Sequence, residues 1–214
     1  MIHTGLDIYF SNINKCLRTL VSQFYYRPHL FFNEVGFHTY CFSVFYRNPL
    51  FTKVFKTQDG KLTNLVHPEY RSVMGKQGGK EHSWYDMVIL DPQFIENNSF
   101  ERVANNNIVI SHWTPKDLLA VFEFKFIREH SKHFIKQLEK DYNSLSNAKE
   151  AIKKYMIVFS LSRKNQIDYF REMIWDDKLM LIYTTVYFEN KKKKIEVSIK
   201  PNNFLNLSSG WLKT

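Results

Sequence analysis

The segment Leu118-Leu-Ala-Val-Phe-Glu-Phe-Lys-Phe126 places a carboxylate and an ammonium inside an otherwise apolar run. Side chains of a strand alternate between its faces. Phe122, Phe124 and Phe126 therefore share one face, and Glu123 and Lys125 lie on the other with Val121. An unpaired charge buried in such a strand is strongly destabilising. Two readings follow. Either the strand is an edge with both charged heads in water, or Glu123 is a metal-binding carboxylate and Lys125 a catalytic lysine. The acid-x-Lys spacing recurs at Asp59-Gly-Lys61, Asp176-Asp-Lys178 and Glu189-Asn-Lys191, all in polar, turn-like settings. Only Glu123-Phe-Lys125 sits in an apolar strand.

Asp86 opens a second apolar run, Tyr85-Asp-Met-Val-Ile-Leu90, just after the stretch 73–83 that carries Gly75, Gly78 and Gly79. Neighbouring strands would bring Asp86 and Glu123 to one sheet edge, and a divalent cation would offset their repulsion. Mg²⁺ prefers oxygen ligands, takes few of them from protein and keeps waters and phosphate oxygens in its shell. Such an ion polarises a phosphate and activates water, and the Lys125 ammonium would stabilise charge on the phosphate. Taken alone, Asp86 reads equally as a strand-entry cap. Glu34 is a third carboxylate. On a helical wheel over 30–47, Leu30, Phe31, Val35, Phe37, Cys41, Phe42 and Phe45 form an apolar arc, with Glu34 near its middle and His38 one turn later. Glu34 either pairs with His38 at the rim of the core or points at the metal site.

Apolar spacing predicts helices over 6–26, 30–47, 130–147 and 165–175. Strands are expected at 62–70, 85–90, 118–126 and 155–161, with a hairpin of 179–188 and 195–200 around 190–194. Residues 91–117 read mostly as loop, with a short strand at 108–111. The order implies a mixed α/β sheet flanked by helices.

These residues and their order resemble the PD-(D/E)xK nuclease superfamily, also called restriction-endonuclease-like. That family places an acid on an N-terminal helix, an Asp on one strand and (D/E)-x-K on the next, followed by a helix and a further strand. The matching positions are Glu34, Asp86 and Glu123-Phe-Lys125, then 130–147 and 155–161. Tyr85 stands where the family often has proline. The resemblance covers roughly 30–161. It implies an αβββαβ core within one domain spanning 1–214, with a helical extension at 1–29 and a further helix and hairpin in 162–214. It further implies Mg²⁺, or Mn²⁺ in its place, on Asp86, Glu123 and the Phe124 backbone carbonyl, with Lys125 catalytic and Glu34 assisting. Glu69, in His67-Pro-Glu-Tyr70, and Gln137, on the helix after Lys125, are weaker candidates. Lys132 and Lys136 line one side of that helix with Lys140 and are candidates for phosphate contacts.

The chain has 214 residues, with 30 basic against 21 acidic side chains, a net charge of +9. That balance favours a polyanionic partner. Its 7 glycines are too few for a glycine-rich phosphate loop or a collagen-like repeat. Cys16 and Cys41 form no C-x-x-C pair, which excludes zinc ribbons and thioredoxin-type redox chemistry. No uncharged run reaches the roughly 18 residues of a membrane span, and the first residues do not resemble a secretory signal. The expected setting is cytoplasmic, with no membrane partner. The expected function is a metal-dependent nuclease, with DNA favoured over RNA. A homodimer would suit cutting both strands, although no interface is legible. The alternatives are a non-catalytic nucleic-acid-binding domain of the same fold, and an interaction module whose charge is only compositional.

Overall fold

The computed structural model describes residues 5–71, 84–105, 117–128, 132–161, 179–189 and 192–200. The glycine-bearing stretch 73–83, the expected strand at 108–111 and the expected helix at 165–175 lie outside them.

Two helices open the chain: α1 (Leu6–Tyr26) and α2 (Glu34–Tyr46), joined by a 3₁₀ turn at Pro28–Leu30. A two-stranded ribbon, β1 (Phe55–Lys56) and β2 (Leu62–Thr63), leads to β3 (Val66–Arg71) and β4 (Trp84–Leu90). Short helices α3 (Pro92–Glu96) and α4 (Phe100–Asn105) precede β5 (Leu118–Ile127), α5 (Lys132–Ser146) and β6 (Ala151–Ser160). The hairpin β7 (Leu179–Glu189) and β8 (Lys192–Lys200) follows. Strands β3 to β8 form one sheet in sequential order, with β5, β6 and β7 parallel and the other pairings antiparallel. The molecule is therefore mixed α/β, a six-stranded mixed sheet flanked by helices.

One core face is built of rings. Phe122, Phe124 and Phe126 of β5 point together, as the alternation requires, and meet Phe37 and Phe45 of α2 at centroid distances of 5.0 to 6.0 Å. Phe24 of α1 stacks on Phe159 of β6 at 4.4 Å. Helix α5 buries Leu138, Tyr142 and Leu145. Its last residue, Ser146, accepts a 2.6 Å hydrogen bond from the buried Lys154 ammonium of β6, a favourable place for a cation because helix C-termini carry negative dipole charge.

The structure corrects three expectations. First, β5 is an interior strand, buried along its whole length, so an exposed edge bearing solvated Glu123 and Lys125 is excluded. Second, α2 begins at Glu34 and not at 30. The Asn33 side chain accepts a 2.8 Å hydrogen bond from Gly36 N–H and caps the helix there. The expected apolar arc breaks up accordingly: Phe37, Cys41 and Phe45 are buried, whereas Leu30 and Val35 are exposed. Third, the described part of 91–117 is not loop throughout, since it carries the short helices α3 and α4. Asp91 caps α3 through Gln93 N–H, and Pro92 occupies the first turn, where its missing N–H costs nothing.

Candidate active site

The site lies where β4 parts from β5. Their antiparallel ladder ends at Met87 paired with Phe122. Beyond that point the backbone of β5 must find other partners. The Asp86 carboxylate accepts from Phe124 N–H at 2.7 Å, and the His38 ring donates to the Phe124 carbonyl at 2.8 Å. Two side chains thus replace the missing strand, and their own sequence positions place them at the fork.

Lys125 is the centre of the charged cluster. Its ammonium lies 3.2 Å from Asp141, 3.4 Å from Glu34 and 3.9 Å from Glu123. Glu34 reaches it from the first turn of α2, Asp141 from α5 and Glu123 from the same strand. His38 completes the group, with Nδ1 3.6 Å from Asp86 and Nε2 3.8 Å from Glu34. Four carboxylates therefore face two basic side chains.

The protonation pattern follows from burial and this imbalance. Glu123 is 4% exposed. Burial, with the neighbouring Asp86 charge, pushes its carboxyl well above the usual range despite the Lys125 ammonium. Burial alone would lower Lys125, yet Glu123, Asp86, Asp141 and Glu34 outweigh it and raise the ammonium above its ordinary value. Burial also opposes ionisation of Glu34, but His38 and Lys125 overcome it and hold this carboxyl low. For His38, burial is outweighed by Glu34, Asp86 and the Phe124 carbonyl, so its pKa is raised. Both ring nitrogens face oxygen acceptors, which is the arrangement of an imidazolium. Asp141 is pushed up, mainly by burial, against the pull of Lys125.

Glu34, Asp86, Glu123 and Lys125 are all brought together, with the Phe124 carbonyl among them. The weaker candidates are not. Glu69 is exposed on the edge strand β3, with a left-handed backbone (φ 49°), and takes part in none of the ion pairs of the cluster. Gln137 and Lys136 are exposed on α5. Lys132 begins α5, and its side chain lies outside the described residues. Asp141, one turn beyond Gln137, is the residue of α5 that meets Lys125. Its signal was present in the sequence: it lies between Leu138 and Tyr142 at the margin of the apolar face. His38 was legible only as a partner of Glu34, whereas it also binds Asp86 and β5.

Among the described residues, no group of three or more His, Cys, Asp and Glu side chains is arranged to hold a metal ion. Asp86 and Glu123 form a pair, and the donors available with them are all oxygens, as Mg²⁺ and Mn²⁺ require. The chemistry of the set fits, because burial and the Asp86 charge both oppose ionisation of Glu123, and a divalent cation between the two carboxyls would offset that repulsion. The Phe124 carbonyl, the other expected ligand, accepts a hydrogen bond from His38 and keeps a second lone pair. Cys16 and Cys41 are buried free thiols, with Cys16 pushed by burial to about 11, and neither is a ligand candidate.

No family model matches the chain, and no curated protein or solved structure matches it either. Among the described residues, no helix is long and apolar enough to cross a membrane. The functional reading rests on the geometry.

Proposed function

We propose that this protein is a metal-dependent nuclease of the PD-(D/E)xK type, with a restriction-endonuclease-like core, that hydrolyses DNA phosphodiester bonds. One observation carries the reading. Asp86, Glu123, Lys125 and Glu34, which stand in the family's order along the chain, converge at a fork between two strands. Buried ionisable groups in such numbers are costly, and perturbed carboxyls beside a lysine are a mark of functional sites.

Asp86 and Glu123 are the residues that would hold Mg²⁺ or Mn²⁺. When bound, the cation would polarise the phosphate and make water a stronger nucleophile. Lys125 keeps its proton throughout, so its role is electrostatic: it offers a fixed positive charge to the phosphate as negative charge builds in the transition state. Glu34 and Asp141 hold that ammonium from two helices and limit its rotamers. Glu34, half-buried and ionised, also presents an acceptor to water at the mouth of the site. His38 binds the Phe124 carbonyl and Asp86 together, which keeps the fork open at a fixed width.

A second reading, a nucleic-acid-binding domain without catalysis, has one observation in its favour. Lys125 already bridges three carboxylates and His38 already occupies the Phe124 carbonyl, as in a structural ion-pair network. A nuclease assay decides. Plasmid, linear, single-stranded and branched DNA, with RNA beside them, are incubated with Mg²⁺, Mn²⁺ or EDTA. The expected result is metal-dependent cleavage that Asp86→Ala and Lys125→Ala each reduce by at least a hundredfold while the proteins stay folded. Full activity in either variant refutes the assignment. Binding without cleavage in every metal favours the second reading.

A further inference from the structure

The junction between α1 and α2 leaves large apolar side chains in solvent. Phe32, just before the Asn33 cap, is 78% exposed, and Tyr26, at the end of α1, is 56% exposed. Their neighbours Phe24 and Phe31 are buried against Phe126, with centroids 6.5 and 6.0 Å away. That packing holds the junction at the carboxyl end of β5, where exposed Arg128 follows directly.

The sheet brings more positive charge to the same end. β6 stops pairing at Ser160, opposite Thr185, whereas β7 continues through Val186–Glu189 paired with β8. The hairpin therefore projects roughly 14 Å past β6, at about 3.4 Å per residue. It carries the exposed Lys192, Lys193 and Lys194. Lys193 donates to the Tyr25 carbonyl and lies 4.8 Å from the Tyr25 ring centroid. The lysine run thus meets the end of α1, beside Tyr26 and the exposed Arg27. At the other side of the junction, Glu34 follows Phe32 by two residues and contacts Lys125. Exposed rings and cations are therefore gathered at the carboxyl end of β5, with Phe32 two residues before Glu34.

We propose that this surface, with Phe32 as the stacking ring and Arg27, Arg128, Lys193 and Lys194 as cations, binds single-stranded DNA and leads it to the site. The proposal rests on the nuclease reading and names its substrate class. Cations along a groove neutralise phosphates, and exposed aromatic rings stack on bases whose faces are free. In a duplex those faces are covered by neighbouring base pairs, so an exposed Phe32 discriminates in favour of unpaired strands.

The test is binding by the full chain in EDTA, where cleavage does not interfere. Fluorescent oligo-dT, a duplex of the same length and vesicles containing phosphatidylserine are compared. Oligo-dT is expected to bind at least tenfold more tightly than duplex. Phe32→Ala should weaken oligo-dT binding about tenfold, the loss of one stacked base, and Phe32→Tyr should restore it. Lys194→Glu should weaken it further at low salt. Binding is read in EDTA and cleavage with Mg²⁺, so the two proposals fail separately: oligo-dT bound as expected but left uncleaved touches only the catalytic one. Unchanged affinity in Phe32→Ala, duplex bound as tightly as oligo-dT, or vesicles bound in preference to both would each overturn the proposal.

Discussion

Glu123 and Lys125 are two residues apart on one strand, and their environments drive them in a concerted way. Lys125 is charged because several carboxylates surround it. The pKa of Glu123 is raised because burial and Asp86 outweigh the one ammonium nearby. A pH dependence follows. The folded carboxyl of Glu123 titrates well above the 4.5 expected of an exposed glutamate. The folded protein therefore binds a proton that the unfolded chain has lost, and stability falls as pH rises through the folded value. This contribution is complete below about pH 4.5 and lost above the folded pKa. His38 acts in the same sense, since its pKa is raised above 6.5. Thermal melts of the metal-free protein from about pH 5 to 9 should show a falling midpoint, with a slope of up to about 1.4 kcal/mol per pH unit for each proton involved. Glu123→Gln, neutral at every pH, should flatten the profile and leave the share of His38. An unchanged profile in that variant would show that Glu123 is ionised in the folded state.

Short elements determine where the charged groups end. The first two turns of α2 carry Glu34 and His38, and its start is set by one cap. Asn33→Ala removes the hydrogen bond to Gly36 N–H and should cost about 1 kcal/mol, measured by urea unfolding. Because that cap positions Glu34 at the mouth of the site, cleavage should fall too, but less than in Lys125→Ala. Equal activity with reduced stability would make Glu34 dispensable. At the fork, the end of the β4 ladder matters as much as any side chain. Were pairing to continue past Met87, Phe124 would find its partners in the β4 backbone, and Asp86 and His38 would lose their bonds to it.

At the scale of the molecule, charge is distributed unevenly among the described residues. Carboxylates gather at the fork, while the β7–β8 hairpin and the α1–α2 junction present cations to solvent. If about five phosphates are engaged on a single strand, affinity should drop about a hundredfold between about 50 and 200 mM salt, with log K linear in log salt. Titrations at four salt concentrations measure that slope. A flat response would remove nucleic acid as the partner and leave the net charge a compositional trait.

The alternation of β5 and the helical spacing of α1 and α5 were legible in the sequence, because side-chain direction within a strand or helix follows from backbone geometry alone. So was the convergence expected of Asp86, Glu123 and Lys125, which needs only two adjacent strands in register. The start of α2 was not. Phe31 reads as part of an apolar helical arc, yet it packs from the preceding turn, since ring burial against Phe24 and Phe126 does not require a helix. Asp141 was passed over for Gln137 because a helical wheel orders side chains around an axis and does not tell how that axis lies on the sheet. His38 joined the fork only when the β4 ladder stopped. Local periodicity determined which faces are apolar and which acids lie on strands. Tertiary structure decided which of those acids share a lysine, because that depends on strand order, helix placement and the point at which two strands part.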